Sequence, residues 1–298
     1  NLAVRDDLNR QCIPHLFNTT GAQEWGEVDE YPWTTVATLP YPAEAAVWVR
    51  YLEDEFPDGV TVAMLGFDND FGLSYERAFE RAVEGTSIEI VSREHHEATA
   101  PNLRDQVTTM AASNADVLLG MTTGTFCPMM IETVEQSAWD PLMIISATCA
   151  APQATFAPIT PAGDGVLVAA SQRTVVPGSS EPQVQEFTEL LEQWAPDTPA
   201  TIGVVVVGWQ IGEMLHESLL AALEMDGGIT RDNVLVGARS IDMESSMLLD
   251  GIRFRMDGAV DPFPLESARM QAWRVADAAY EPVSEVFEFE GRTTTLLR

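Results

Sequence analysis

Short apolar runs that alternate with amphipathic stretches constrain the fold of this chain more than any other feature. The runs predict strands at 13–17, 60–65, 88–94, 116–121, 142–147 and 165–170. The stretches between them, including 43–56, 73–84, 102–112 and 127–138, carry apolar residues at helical spacing. Short, wholly apolar strands separated by helices are typical of a parallel sheet that is covered on both faces. The pattern therefore predicts an α/β fold.

The second half of the chain is predicted to contain more helix. Helices are expected at 181–195 and 208–227, and short strands at 251–256, 268–275 and 283–291. The segments 38–42, 173–182 and 257–264 are predicted linkers because they are rich in Pro and Gly. Residues 1–11 resemble the back half of a helix, and an intact α/β domain seldom begins in this way. We expect the beginning of the first lobe to be absent from the chain.

Charge and residue usage exclude several classes of function. The formal net charge is −30, which disfavours nucleic acid or an anionic membrane as a partner. All sixteen basic residues are Arg, so a phosphate-binding P-loop lysine and a Schiff-base lysine are excluded. An acidic surface of this kind is typical of an adaptation to salt or secretion.

The segments that follow the predicted strands hold few residues that could catalyse a reaction. Ligands of open parallel sheets collect at these carboxyl ends, and the segments 18–25, 122–128 and 148–154 are rich in Thr and small residues. Nucleophile-elbow, dinucleotide-binding and HExxH patterns are absent from the sequence. We therefore expect no catalytic residue and no cofactor.

Two stretches resemble metal sites only superficially. Residues 68–72, "DNDFG", lack the spacing of a calcium loop, and we expect Asp68 and Asp70 to end a strand and cap a helix. His95 and His96 are neighbours on a predicted strand and point to opposite faces, so we expect a solvated strand end. No metal site is expected.

The Thr-rich segments suit a binding cleft. Hydroxyls and backbone N–H groups at helix starts can hold a carboxylate or another small polar head. Phe71 and Phe126 either sandwich an apolar body of the ligand or pack in the core.

Several stretches, taken in order, resemble a known family. They are 13–22, 39–52, 62–72, 103–119, 137–146, 248–252 and 261–264. The chain resembles the type I periplasmic substrate-binding proteins of ABC transporters, in the branched-chain amino-acid-binding class. The resemblance implies two α/β lobes, joined by three chain crossings, that close over a ligand. Lobe one would hold 1–37 and 173–251, and lobe two 38–172 and 252–298. Relatives begin with a further stretch that completes lobe one.

The resemblance also implies where a ligand binds. Lobe one would bind a ligand carboxylate through the 19–22 turn, and lobe two would close over the ligand. Amino-acid binders place an acid near the position of Thr148, and the segment 145–152 has none. Because an unpaired buried ammonium is costly, we expect a carboxylate, aromatic or amide-like ligand rather than an α-amino acid. The expected ligand-binding residues are Thr19, Thr20, Gly21, Ala22, Phe71, Thr123, Thr125, Phe126 and Thr148.

The three cysteines give one further expectation. Cys127 and Cys149 each follow a predicted strand of lobe two, so they either form a disulfide or remain two buried thiols. A disulfide would fit an extracytoplasmic protein. Cys12 is expected to be buried and inert.

The predicted function is that of a solute receptor rather than an enzyme. We expect a monomer that binds a small molecule outside the cytoplasm and delivers it to an ABC transporter permease, with its signal segment outside this chain. A ligand-sensing domain with the same fold is the alternative. An α/β enzyme is a third hypothesis, but it lacks a nucleophile–base set.

Overall fold

The computed structural model describes residues 2–258 and 260–293. The helices are α1 (Leu2–Arg10), α2 (Tyr41–Glu55), α3 (Asp70–Ala82), α4 (Arg104–Ala112), α5 (Phe126–Glu135), α6 (Pro152–Thr155), α7 (Pro182–Trp194), α8 (Gly203–Leu223) and α9 (Arg231–Ala238). The strands are β1 (His15–Asn18), β2 (Thr34–Val36), β3 (Val60–Phe67), β4 (Ile88–His96), β5 (Val117–Met121), β6 (Leu142–Ile145), β7 (Leu167–Ala170), β8 (Asp242–Met243), β9 (Phe254–Arg255), β10 (Ser267–Arg274) and β11 (Ala279–Glu288).

A seven-stranded, mostly parallel sheet dominates the described residues. Its strand order is β11-β10-β7-β6-β5-β3-β4. The strands β7, β6, β5, β3 and β4 are parallel, and β10 and β11 add an antiparallel edge. The α/β fold with a parallel sheet that the sequence predicts is therefore confirmed.

Both faces of the sheet are covered, which explains why its strands are apolar throughout. Met64 and Leu119 pack into a core on one face, against the helices α2 and α3. Their neighbours Leu65 and Leu118 pack into a second core on the other face, with α4 and α5. Successive side chains of a strand point to opposite faces, so a strand between two helical layers needs apolar residues at every position.

The elements outside this sheet are smaller. β1 pairs with β2 in a parallel sheet, and β8 pairs with β9 in an antiparallel sheet. Phe187 of α7 and Val206 of α8 belong to a small apolar cluster, and Trp25, Val36 and Phe263 form another. The helix predicted at 208–227 starts earlier than expected, at Gly203, and ends at Leu223.

α8 carries apolar residues all round its surface. Met214 is fully buried, whereas Val204 is 67% exposed and Leu223 is 54% exposed. Such a pattern is typical of a helix that is covered on all sides. Within the described residues, no helix combines the length and the hydropathy that a membrane span requires.

Two local expectations are corrected by the structure. Asn69, rather than Asp68 or Asp70, caps α3, because its side chain accepts a hydrogen bond from the Gly72 N–H at 3.2 Å. Gly72 lies so close to the Phe67 backbone that a Cβ there would collide with it. Cys12 is exposed rather than buried, since it lies in the turn between α1 and β1.

Candidate functional site

A cavity of about 390 Å³ lies at the carboxyl ends of β5, β6 and β7. These strands are adjacent in the sheet, so the segments that follow them meet at one edge. The turn after β1, the start of α2 and the first turns of α8 complete the wall. Its polar lining includes Thr19, Thr20, Thr38, Glu44, Thr123, Thr148, Ser171, Gln172, Arg173, Thr174 and Thr201.

Five of the nine ligand-binding residues expected from the sequence line this cavity. They are Thr19, Thr20, Gly21, Thr123 and Thr148. All five follow a strand directly, and the strand order brings their segments together. The other four, Ala22, Phe71, Thr125 and Phe126, lie outside its lining.

Phe126 packs in the core rather than in the cleft. It is 7% exposed and contacts Phe67 and His96, with ring centroids 5.5 and 4.1 Å away. Thr125, which precedes it, is exposed at the start of α5. Ala22 packs against the cluster around Trp25.

Phe71 contacts two tyrosines of the cavity wall but does not line the cavity itself. The Phe71 ring meets Tyr41 and Tyr75 edge-on, at centroid distances of 5.7 and 5.3 Å. Tyr41 and Tyr75 stack on each other at 3.7 Å, and both line the cavity. The aromatic wall is therefore formed by these tyrosines.

Tyr41 also connects the aromatic wall to the turn after β1. Its backbone N–H donates to the Gly21 carbonyl at 2.8 Å, and its ring lies where a Cβ of Gly21 would be. Burial raises the pKa of Tyr41 to about 12, although hydrogen bonds from Thr20 and Gly21 oppose the rise. A glycine at position 21 is required for this close approach.

Glu44 is a buried carboxylate in the cavity wall. It is 1% exposed and accepts hydrogen bonds from the Tyr75 hydroxyl and from the Ala147 N–H, both at 2.7 Å. Burial raises the pKa of Glu44 to about 7, against the opposing effect of these two donors. The carboxylate therefore reaches the segment after β6, beside Thr148, where the sequence offered no acid.

The segments after β5 and β6 are tied together. The Thr148 hydroxyl donates to the Thr122 carbonyl at 2.7 Å. Cys127 and Cys149 form a disulfide with a Cα–Cα distance of 5.5 Å. Of the two alternatives, a disulfide or two buried thiols, the structure contains the disulfide. The two segments form one continuous part of the wall.

Arg173 is the basic residue of the lining, and its charge is already paired. Its guanidinium contacts Glu181 at 2.8 Å and Asp250 at 2.5 Å, and it donates to the Ser246 carbonyl at 3.0 Å. Three of its five N–H donors are used in this way, and its positive charge is offset by two carboxylates.

The two adjacent histidines take different environments. His95 bonds Glu76 at 2.6 Å and is partly exposed. His96 is 2% exposed, bonds the Thr122 hydroxyl at 2.7 Å, and has a pKa lowered by burial. The expectation of a solvated strand end is therefore wrong for His96. The expectation that the two rings point in different directions agrees with their separate partners, Glu76 and Thr122.

A group of three carboxylates, which the sequence did not indicate, lies at the end of β11. Oxygens of Asp261, Glu266 and Glu290 lie within 4.8 Å of one another. Glu266 accepts hydrogen bonds from the backbone N–H groups of Gly291 and Thr293 at 2.5 and 2.8 Å. Burial, together with the Glu266 charge, raises the pKa of Asp261 and of Glu290 to about 7.

The fold, together with the cavity at the carboxyl ends of β5, β6 and β7, defines a binding protein of the periplasmic type. The family model described as "Periplasmic binding protein" matches residues 1–273, and the chain belongs to this family. Members are extracytoplasmic binding proteins, so the resemblance found in the sequence is confirmed. No curated protein matches the chain.

Solved structures share the fold at low sequence identity. A branched-chain amino acid ABC transporter protein from Thermus thermophilus, with bound valine, has a TM-score of 0.84 at 13% identity, covering 99% of this chain and 77% of its own. The fatty acid ABC transporter substrate-binding protein from Thermomonospora curvata has a TM-score of 0.76 at 17% identity, covering 97% and 72%. An extracellular ligand-binding receptor from Rhodopseudomonas palustris HaA2 has a TM-score of 0.76 at 14% identity, covering 94% and 78%.

Proposed function

We propose that this protein is an extracytoplasmic receptor that binds a small organic ligand and presents it to the permease of an ABC importer. The single observation that carries the proposal is the cavity, whose wall combines segments that are distant in the chain. Thr19–Gly21 and the start of α8 form one side, and the segments after β5 and β6 form the other. A hinge motion can bring two such sides together. A ligand that contacts both sides would then stabilise the closed state.

We assign the two sides to the two lobes expected from the sequence, and we adjust one boundary. We assign 1–37 and 173–251 to lobe one, and the seven-stranded sheet to lobe two. The segment 252–264 contacts lobe-one residues, because β9 pairs with β8, and Arg239 donates to the Gly258 carbonyl at 3.1 Å. Phe263 packs against Trp25 and Val36. These contacts support a boundary near residue 265 rather than at 252.

The lining supports a ligand with an apolar body and one polar head. Val168, Val175, Val206 and Tyr280 offer apolar surface, and the threonines offer hydroxyls. The expectation of a carboxylate, aromatic or amide-like ligand rested on the absence of an acid near Thr148. Glu44 fills that place from another element, so this reason against an ammonium no longer holds.

A thermal-shift screen, followed by calorimetry, tests the receptor function. The panel contains amines, amino acids, aromatic and aliphatic carboxylates, amides and dicarboxylates. We expect at least one compound to bind with one-to-one stoichiometry. The variant Val207→Trp fills the cavity and should abolish this binding. Val236→Trp, an exposed change on α9, is the matched control and should leave it intact.

Binding that survives in Val207→Trp would overturn the assignment of the cavity. Turnover of a bound compound that persists through purification would overturn the receptor function in favour of an enzyme.

A further inference from the structure

Glu44 stands out among the residues of the cavity because nothing in its surroundings balances its charge. Its two hydrogen-bond donors, the Tyr75 hydroxyl and the Ala147 N–H, are both neutral. Within residues 2–258 and 260–293 it forms no ion pair. An ionised carboxylate buried without a cationic partner is costly, so a cationic group supplied by a ligand would stabilise the ionised form of Glu44.

The charges around the cavity leave this position negative. The lining holds two residues that are ordinarily charged, Glu44 and Arg173. Arg173 is paired with both Glu181 and Asp250, so its positive charge is already offset. A cavity with one unbalanced carboxylate, in a chain of net charge −30, favours a cation over an anion.

The carboxylate of Glu44 also has capacity for another donor. Two oxygens offer about four acceptor positions, and the structure fills one on each oxygen. Hydrogen bonds between charged partners are stronger than neutral ones, so a protonated nitrogen suits the remaining positions. The apolar walls, with Tyr41 and Tyr75 at one end, would cover a hydrocarbon or aromatic body attached to it.

We propose that Glu44 pairs with a protonated nitrogen of the ligand, so that the cavity takes a cationic amine with an apolar body. The inference rests on the proposed receptor function and names the ligand class of the same site. An amine is favoured over an amino acid because the carboxylate of a zwitterion would add a second negative charge near Glu44, while Arg173 is already paired.

Binding should depend on pH in a direction that follows from this pairing. Burial raises the pKa of Glu44 to about 7, whereas an alkyl ammonium keeps its proton up to about pH 10. The groups that face Glu44 are Tyr75 from α3, Tyr41 on its own helix and the Ala147 N–H, and both tyrosines have raised pKa values. Glu44 is thus the group that changes charge between pH 5 and 8, and amine binding should weaken as it is protonated.

The test uses matched probes that differ only in the polar head. The amines are 3-methylbutylamine and 2-phenylethylamine, the neutral probes are the corresponding alcohols, and the anions are 4-methylpentanoate and 3-phenylpropanoate. L-leucine is added as a zwitterion. Calorimetry at about pH 8 should show an amine binding at least about tenfold more tightly than its alcohol, its anion or leucine. Between about pH 7 and pH 5.5 its affinity should fall by about tenfold or more in total, because Glu44 with a pKa of about 7 becomes mostly protonated over this range.

The variant Glu44→Gln keeps the size of the side chain and removes the charge. We expect it to lose the tenfold amine preference and the pH dependence, while alcohol binding stays within about threefold of wild type. Glu53→Gln, the same change at an exposed position of α2, is the control and should behave as wild type. Unfolding curves without probe verify that both variants are folded.

Each other result overturns the inference. Amine affinity unchanged in Glu44→Gln would show that Glu44 does not pair with the nitrogen. Tighter binding of an anion, an alcohol or leucine would refute the cationic class while leaving the receptor function in place. Failure of every amine to bind would also refute it, and the broader screen and the Val207→Trp variant would still judge the receptor function independently.

Discussion

The sheet region (41–170 and 267–288) and the α8 region (182–238) differ in how completely they cover apolar side chains. In the sheet region, Leu65 is fully buried, and Leu119 is 1% exposed. In the α8 region, Leu220 is 44% and Val236 is 49% exposed, and the buried cluster is small. Apolar composition alone therefore does not show which helix is covered. The stability of the chain should rest chiefly on the sheet region.

The largest expected difference between the regions is in their aromatic core residues. Phe79→Ala, in the sheet region, should lower the free energy of unfolding by about 3–5 kcal/mol, because the residue is fully buried in a large, rigid core. Phe187→Ala, in the small α8-region cluster, should lower it by about 2–3 kcal/mol, because partly exposed neighbours can close the cavity. Urea denaturation measures both, and an equal or larger loss in Phe187→Ala would break the comparison.

Removal of the disulfide should have the next largest effect. Cys127 and Cys149 are separated by 22 residues in the sequence, and a loop of this length contributes about 3 kcal/mol in the chain-entropy account. The double variant Cys127→Ala/Cys149→Ala should lose about this much in urea denaturation. Cys12→Ala, at an exposed position, is the control and should change stability by less than about 0.5 kcal/mol.

Acid should stabilise the sheet region through Glu44. The pKa of Glu44 rises from 4.5 to about 7 on folding, so the folded state binds more protons between these values. Ionisation of the buried Glu44 lowers the free energy of unfolding. This loss is absent below about pH 4.5, grows as pH rises, and reaches about 3 kcal/mol above pH 7. Glu44→Gln should therefore gain stability relative to wild type as pH rises from about 5 to about 8. A constant difference between the two proteins over this range would contradict the prediction.

The smallest effect is expected on the exposed side of α8. Leu220→Gln should change the free energy of unfolding by less than about 0.5 kcal/mol, since the side chain is largely in solvent. Met214→Ala, on the buried side of the same helix, should cost about 2–5 kcal/mol. Urea denaturation of the pair tests the difference within one helix. A cost above about 1 kcal/mol for Leu220→Gln would show that this face is covered in solution.

Local pattern predicted the parts of the site that follow strands. The apolar runs at 116–121 and 142–147 located β5 and β6, and the carboxyl-end rule then located Thr123 and Thr148. The structure brings both residues to the cavity because strand position and strand end are both determined by short stretches of sequence. The residues that lie at the cavity for this reason include Thr19, Thr20 and Gly21.

The aromatic wall and Glu44 could not be located in this way. Tyr41 and Glu44 come from the start of α2, and Tyr75 lies inside α3, so packing between helices sets their positions. The same packing brings Tyr41 into the lining in contact with Phe71, which was expected to face the ligand and does not line the cavity. One signal was available, because Glu44 interrupts the otherwise apolar run at 43–49. A lone acid in such a run indicates a buried polar contact.

The disulfide between Cys127 and Cys149 has a practical consequence for anyone who produces this protein. It joins the two segments that carry Thr123 and Thr148. The oxidation state of the preparation therefore decides whether a covalent bond fixes these segments relative to each other. Protein made in a reducing cytosol would present a looser wall than protein exported to an oxidising compartment. Batches with the same sequence could then differ in affinity, and a count of free thiols should accompany each ligand screen.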